Sequence, residues 1–369
     1  NIPQGYKATA LGIIPQEWKT IRLKDCFSIS AGGDVQKDCF SEAPSLQYKY
    51  PIYSNSLFNH GLYGFTSHPR HKANSITITG RGALGHAEYR EIDFDAIVRL
   101  LVLAPKIPLN GQYITEYINF RKPFFYESTG VPQLTAPQIA NIQVLFPPLG
   151  EQRKIAEVLG VWDEAIEKQA RLIEKLALRK RALMQRLLSA KLRLPGFSEP
   201  WKIHKLQELF TERNETNRTD LPLLSITGDR GVILQTESEK RDTSNDDKSK
   251  YKRIAKGDIG YNTMRMWQGR SALSGLEGIV SPAYTIVVPN TDVDGYYMSV
   301  LFKQPRLIYD FWTHSQGLVG DTLNCKYRDF GQVHICCPPL AEQKAITEVL
   351  TAADREIELA KEKLERLRR

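Results

Sequence analysis

Three glycines at the spacing of a dinucleotide-binding turn, Gly80, Gly82 and Gly85, lie in the stretch SITITGRGALGHAEY, residues 75–89. Such a turn cradles a pyrophosphate when a strand leads into it and a helix follows, because bare backbone and a helix N-terminus then face the anion. Ile76, Thr77, Ile78 and Thr79 supply the strand. The helix is missing, since His86, Tyr89 and the run Ile92, Asp93, Phe94, Asp95 read as a further strand and a turn. A nicotinamide oxidoreductase is therefore not expected.

Other chemistry fares no better. His60, His68, His71, His86, His204, His314 and His334 are scattered, with no Ser or Cys at the spacing of a catalytic triad. The five cysteines are odd in number and lack a Cys-x-x-Cys spacing, so reduced thiols are expected rather than a disulfide framework or a zinc site. An adenine methyltransferase needs Asn or Asp before a Pro-Pro-aromatic loop to grip the flipped base. Here Phe146 and Cys337 precede the Pro-Pro pairs, and Leu149 and Leu340 follow them. No Gly-x-x-x-x-Gly-Lys-Ser/Thr loop for ATP occurs. The chain reads as non-catalytic, without a metal or cofactor of its own.

The formal net charge of +8 makes nucleic acid a reasonable partner. Much of the surplus sits in one segment, residues 151–193, with 11 Lys and Arg against 6 Asp and Glu. No apolar run reaches the roughly 20 residues of a membrane helix, and a cytoplasmic protein is expected.

The elements that must carry these residues come twice. Trp18-Lys19, Leu23 and Phe27 recur 183 residues later as Trp201-Lys202, Leu206 and Phe210. PPLGEQRKIAEVL (147–159) recurs 191 residues later as PPLAEQKAITEVL (338–350). A shift of 189 lays GRGALG (80–85) on GRSALS (269–274), pairing Arg81 with Arg270. Ser271 and Ser274 then stand where the fingerprint needs glycine, so the shared feature is a turn and not a phosphate cradle.

Each half runs through a strand-rich segment with Gly, Pro and aromatic residues, then Pro-Pro-Leu, then a long helix. In the first helix Ile155, Leu159, Trp162, Ile166, Gln169, Ile173, Leu176, Lys180, Leu183 and Leu187 alternate in steps of four and three, a coiled-coil seam. Ile346, Leu350, Ala353, Ile357, Ala360 and Leu364 continue it in the second helix. The two helices are expected to pack antiparallel with Trp162 inside the seam. Gln169 and Lys180 are expected to fix the register, and Pro195-Gly196 to end the first helix. The fold class is thus mixed α/β (α+β), two domains per chain joined by two long antiparallel coiled-coil helices in a pseudo-two-fold repeat. The boundaries are 1–146 (domain 1), 147–194 (helix 1), 195–337 (domain 2) and 338–369 (helix 2, shorter than its counterpart).

GYKATALGIIPQEWKTIRL (5–23), the duplicated Pro-Pro-Leu-x-Glu-Gln helix starts and GDIGYNTMRMWQGRSALSGLEGIVSPAY (257–284) together resemble the specificity subunits of type I restriction–modification systems. The resemblance covers essentially the whole chain. It implies two target-recognition domains, each reading one half of a split double-stranded DNA site around an unread spacer. It also implies two methyltransferase subunits docked on the helices and restriction subunits joined to those, with S-adenosylmethionine, ATP and magnesium on the partners only.

On that reading the candidate DNA contacts in the first domain are Arg81, His86, Gln133 and Thr135. In the second they are Arg265, Gln268, Arg270, Lys326 and Tyr327, with Lys250, Lys252 and Arg253 of KSKYKRIAK set to grip phosphate or to form a solvated loop edge. The rival class is a structural adaptor, two peptide-binding domains on a coiled-coil rod.

If the helices set the spacer, one heptad added to the first helix should lengthen the unread spacer of the methylated sequence. The rod gains about 10 Å at roughly 1.5 Å per residue, or about three base pairs. Methylation mapping should show both half-sites unchanged; an unaltered spacer would remove the helix from this role.

Overall fold

The computed structural model describes residues 2–121, 132–228, 230–238, 245–317 and 323–369. It divides into two units, residues 1–167 and 168–369.

The first unit opens with the hairpin β1 (Tyr6–Thr9) and β2 (Gly12–Pro15), then β3 (Lys19–Arg22), the single turn α1 (Leu23–Cys26) and β4 (Phe27–Ala31). There follow β5 (Phe40–Ser41), β6 (Tyr50–Tyr53), β7 (Leu62–Thr66), β8 (Ser75–Ile78), β9 (Ala87–Arg90), β10 (Asp95–Ala96) and β11 (Leu101–Pro105). Then come α2 (Gly111–Arg121), α3 (Ala136–Ala140), β12 (Gln143–Phe146) and α4 (Leu149–Leu187), which ends in the second unit.

The main sheet has the order β4-β11-β8-β9, and β3 pairs with β12. Leu23, Phe27, Ile76, Ile78, Leu103 and Ile114 fill the core beneath it. A second sheet, β10-β6-β7-β5, is built from the segment between β4 and β11.

The second unit repeats the plan. It runs β13 (Lys202–Lys205), α5 (Leu206–Leu209), β14 (Phe210–Glu212), β15 (Leu224–Ile226), β16 (Val232–Leu234), β17 (Lys252–Ile254), β18 (Ile259–Asn262), β19 (Ser271–Leu273), β20 (Gly278–Val280) and β21 (Tyr284–Pro289). The helices α6 (Gly295–Leu301), α7 (Pro305–His314) and α8 (Tyr327–Gln332) precede β22 (His334–Cys337) and α9 (Leu340–Arg368). Its main sheet, β14-β21-β18-β19, keeps the order of the first, and β13 pairs with β22 as β3 does with β12. In place of the second sheet there are two strand pairs, β15-β16 and β17-β20.

The strand registers correct one alignment. Ile78 lies opposite Leu101 and Ala87, and in the second unit Tyr261 lies opposite Thr285 and Ser271. The displacement is therefore 183 on the β8 side of the hairpin and 184 on the β9 side, not 189. Arg81 falls within a residue of Arg265, and the counterpart of Arg270 is His86. GRSALS matches GRGALG by composition alone.

The repeated Glu-Gln is the joint between domain and helix. In the first unit the Trp18 indole Nε1–H donates to Glu151 Oε2 at 2.9 Å. Gln152, fully buried, donates to the Pro147 carbonyl at 2.8 Å and accepts from the Asn110 amide at 2.9 Å. In the second unit Trp201 donates to Glu342 Oε2 at 3.2 Å. Gln343 donates to the Pro338 carbonyl at 2.9 Å and accepts from the Asp294 amide at 2.9 Å. Glu342 is only 1% exposed and takes a bidentate bond from Arg193 at 2.6 and 2.8 Å, the pairing a buried carboxylate requires.

Within the second unit the end of α4 packs antiparallel on α9. Gln169, buried, donates to the Ala360 carbonyl at 2.9 Å, so this polar seam position does set register. Arg179 pairs with Glu356 and Lys180 with Asp354, the partners receding along α9 as α4 advances. Leu176, Leu187, Ile346, Leu350 and Leu364 are buried, and Ile173 and Ile357 half-buried.

Two seam positions depart from expectation, since Leu159 is 38% and Trp162 51% exposed. Ile155 and Ala156 just before them pack into the first domain's core. Past that contact the face bearing Val158, Val161 and Trp162 is open. A charge placed at Trp162 would therefore not be buried. Nor does Pro195 end α4: the helix stops at Leu187, and Ala190, at φ +56°, turns the chain left-handed.

Gln152→Ala should leave the Asn110 amide and the Pro147 carbonyl without this partner, costing about 2–6 kcal/mol at roughly 1–3 kcal/mol per orphaned group. Denaturant unfolding should show an earlier midpoint; an unchanged midpoint would mean that the bridge does not hold the helix.

Candidate nucleic-acid interface

The loop between β8 and β9 and its counterpart between β18 and β19 each open onto a pocket. In the first unit a pocket of about 400 Å³ is lined by Gly80, Arg81, Arg99, Gln133, Thr135 and Leu101, among others. Three of the four residues expected there from sequence are thus brought together. The loop is held tight by Gly82 and Gly85, at φ +68° and +79°. Gly80 is needed for backbone approach: a Cβ there would lie 2.9 Å from the Leu134 carbonyl. The glycines serve the turn.

The fourth candidate, His86, does not line the pocket. Its Nε2 lies 3.0 Å from Glu88 Oε1, which also meets His60 Nδ1 at 3.2 Å. Burial raises the Glu88 carboxyl, but the bonds from His86 and His60 and the charge of Arg90 outweigh it and leave the pKa below the usual value.

Arg99 takes the place of His86, and sequence reading missed it. Val98 and Arg99 lie within the run Ile97–Leu103, which looks like a strand. Instead both are left-handed, at φ +55° and +60°, and Arg99 turns onto the pocket rim. Nothing in the residue types signals that turn.

In the second unit a pocket of about 250 Å³ is lined by Thr227, Asn262, Arg265, Gln268, Arg270 and Tyr284. All three candidates from this loop meet there. An adjoining pocket of about 450 Å³ shares Gln268 and Arg270 and adds Lys303. Burial, and then the neighbouring Lys180, pull the Lys303 ammonium below the ordinary lysine value. A cation so placed gains from a bound anion.

Among the described residues no carboxylate lines any of these three pockets, and Arg81, Arg99, Arg265 and Arg270 make no ion pair. Other arginines of the fold are paired, Arg70 with Asp95 at 2.6 Å and Arg213 with Asp258 at 2.7 Å. The four pocket guanidiniums share their rims with the amide side chains Gln133, Asn262 and Gln268.

The remaining candidates of the second unit lie outside these pockets. Arg253 is held by Glu215 at 2.7 Å and Glu277 at 2.6 Å, and Lys252 lies 3.8 Å from Glu212. Both therefore belong to a structural network. Tyr251 is buried, and only Lys250 of the trio stays exposed without an ion pair. Tyr327 donates to the Phe210 carbonyl at 2.7 Å and stacks on Phe330, so it serves the core. Lys326 is exposed at the start of α8, and Thr135 is half-buried at the start of α3.

Comparison with known proteins agrees with the duplicated architecture. Residues 15–177 match the type I restriction modification DNA specificity domain. A type I specificity subunit of Mycoplasma pneumoniae is 33% identical over 145 residues, 39% of each chain. A specificity subunit of Methanocaldococcus jannaschii is 24% identical over an alignment of 410 positions, covering 99% of this chain and 93% of that one. The matched stretches span 39%, 48% and 38% of the lengths of three M. pneumoniae relatives.

In fold, the crystal structure of the M. genitalium type I S subunit superposes with a TM-score of 0.60 at 14% identity, over 95% of this chain and 92% of that one. A chain from a study of type I complex assembly and conformational transition gives 0.57 at 16% identity, over 96% and 95%. Two domains joined by long helices is the shared architecture. Residues 15–177 thus match a type I specificity domain, and the chain is similar to a type I specificity subunit along nearly its whole length.

Proposed function

We propose that this chain is the DNA-reading subunit of a type I restriction–modification complex. It recognises a bipartite, asymmetric duplex site, one half per domain, and brings methyltransferase and restriction subunits to it. The observation that supports this reading is the pair of pockets at the corresponding hairpin loops of the two units, each with no carboxylate among its described lining residues and with unpaired guanidiniums beside amide side chains. Arginine pairs with guanine O6 and N7, and Gln or Asn with adenine N6 and N7, in the major groove. Lys303 and Lys250 suit phosphate, which positions the protein without specifying sequence.

The two pockets differ in their polar side chains, as an asymmetric site demands. The chain itself carries no reaction on this proposal; S-adenosylmethionine, ATP and magnesium belong to the partner subunits, and the complex works in the cytoplasm. No helix of the described residues is long and apolar enough to cross a membrane.

The test is a mobility shift of the chain assembled with methyltransferase subunits on duplex DNA, over a range of salt. Arg81→Ala and Arg265→Ala should each lose roughly 1–3 kcal/mol of discrimination, at one half-site only. Lys303→Ala should weaken binding to all sequences alike and lower the salt slope by about one. Absence of any salt-dependent shift would favour the peptide-binding adaptor.

A further inference from the structure

The connection between β6 and β7, residues 54–61, ends in a tip that nothing covers. Leu57 is 52% exposed and Phe58 86% exposed. Directly after them Asn59 and His60 are both left-handed, at φ 49° and 53°, followed by Gly61 at φ 79°. Two consecutive non-glycine residues in that region are unfavourable, because each Cβ crowds the following carbonyl. Such a conformation persists only when its surroundings enforce it, and it clusters at functional sites.

The surroundings do enforce it. The Ser54 amide donates to the Gly61 carbonyl at 2.8 Å and the Phe58 amide to Ser56 Oγ at 3.1 Å, closing the loop on itself. His60 is held by Glu88 at 3.2 Å. Asn55 makes the decisive contacts: its Nδ2 donates to the Val98 carbonyl at 2.7 Å, and its Oδ1 accepts from the Gly80 amide at 2.7 Å. Gly80 lines the first unit's pocket, and Val98 immediately precedes Arg99, which lines it too. One side chain thus fastens the strained tip to the rim that carries Arg81 and Arg99.

We infer that Phe58, backed by Leu57, is a wedge that enters a base step of the duplex beside the letters read by the first pocket. The inference rests on the DNA-reading proposal and adds deformation of the half-site to it. An exposed apolar ring on a loop whose backbone is tied to the rim that carries Arg81 and Arg99 matches a base stack flanked by phosphates. Phe and Leu are among the side chains that partly unstack a step and kink the duplex when inserted. A protein partner would need a broader apolar face. Here the neighbours of the two side chains along the loop are Ser54, Asn55, Ser56, Asn59 and His60. Among the described residues the corresponding segment of the second unit forms two strand pairs and no such sheet, so the wedge is assigned to the first half-site.

The experiment uses the full chain assembled with methyltransferase subunits and a duplex bearing the site found by methylation mapping. 2-Aminopurine is placed at successive positions in and beside the first half-site. Binding should raise its fluorescence at one step, reporting loss of stacking, and not in the second half-site. Phe58→Ala should abolish the rise and weaken binding about five- to a hundredfold, the range for one aromatic–base stack. Phe58→Leu should keep part of both. Because Phe58 is exposed, the Ala variant should unfold at the native temperature.

Salt-dependent binding that Arg81→Ala weakens, with no fluorescence change at any position, would overturn the wedge and leave DNA reading in place. Unchanged affinity in Phe58→Ala would do the same. Failure of the native complex to bind any duplex would overturn both.

Discussion

Two adjacent side chains at the start of each long helix, Glu151-Gln152 and Glu342-Gln343, hold everything else in place. Each glutamate accepts an indole N–H hydrogen bond from the tryptophan that opens its own domain, and each glutamine spans from the Pro-Pro carbonyl to the residue that caps a helix of the same domain. A buried glutamine satisfied at both ends tolerates little displacement, because any shift leaves an amide or a carbonyl without a partner. The first strand, the last strand and the helix start of a domain are therefore locked at one corner. The main sheet grows from that corner, and its hairpin loop carries the arginines to the other end of β8 or β18. The second unit reinforces the corner with Arg193, for which the first has no equivalent.

Shared corner and divergent periphery divide the labour. The main sheets have one strand order, and Asn110 and Asp294 cap α2 and α6 through the same bond, to the amides of Tyr113 and Tyr297. What differs lies between β4 and β11 and between β14 and β21: a four-stranded sheet with a strained tip in one unit, two short strand pairs in the other. On the DNA-reading proposal, one set of joints would carry readers for two different half-sites.

The sequence made the joints legible and the readers only partly so. Trp18, Trp201 and the Pro-Pro-Leu-x-Glu-Gln starts announce the repeat because their chemistry depends on residue type and short spacing. The helices announce themselves by period, and Gln169 proved to be the register-setting polar position. The seam was over-read at Leu159 and Trp162, since a period identifies a face but not whether anything covers it. Arg265, Gln268 and Arg270 share a short loop, so proximity in sequence sufficed. Arg99 was invisible because its place depends on two left-handed residues that could as well have continued a strand. Tyr327, Lys252 and Arg253 looked like nucleic-acid contacts until their partners, Phe210, Glu212, Glu215 and Glu277, came in from distant strands. The shift of 189 was compositional coincidence, which only the strand pairing exposes.

The central claim is that each latched domain reads alone. Its most direct test replaces residues 17–145 with the corresponding domain of a relative and maps the sequence methylated by the assembled complex. The account predicts a change in one half of that sequence, with the other half and the spacer preserved, because residues 200–336 and both helices are untouched. A change in both halves together would contradict it.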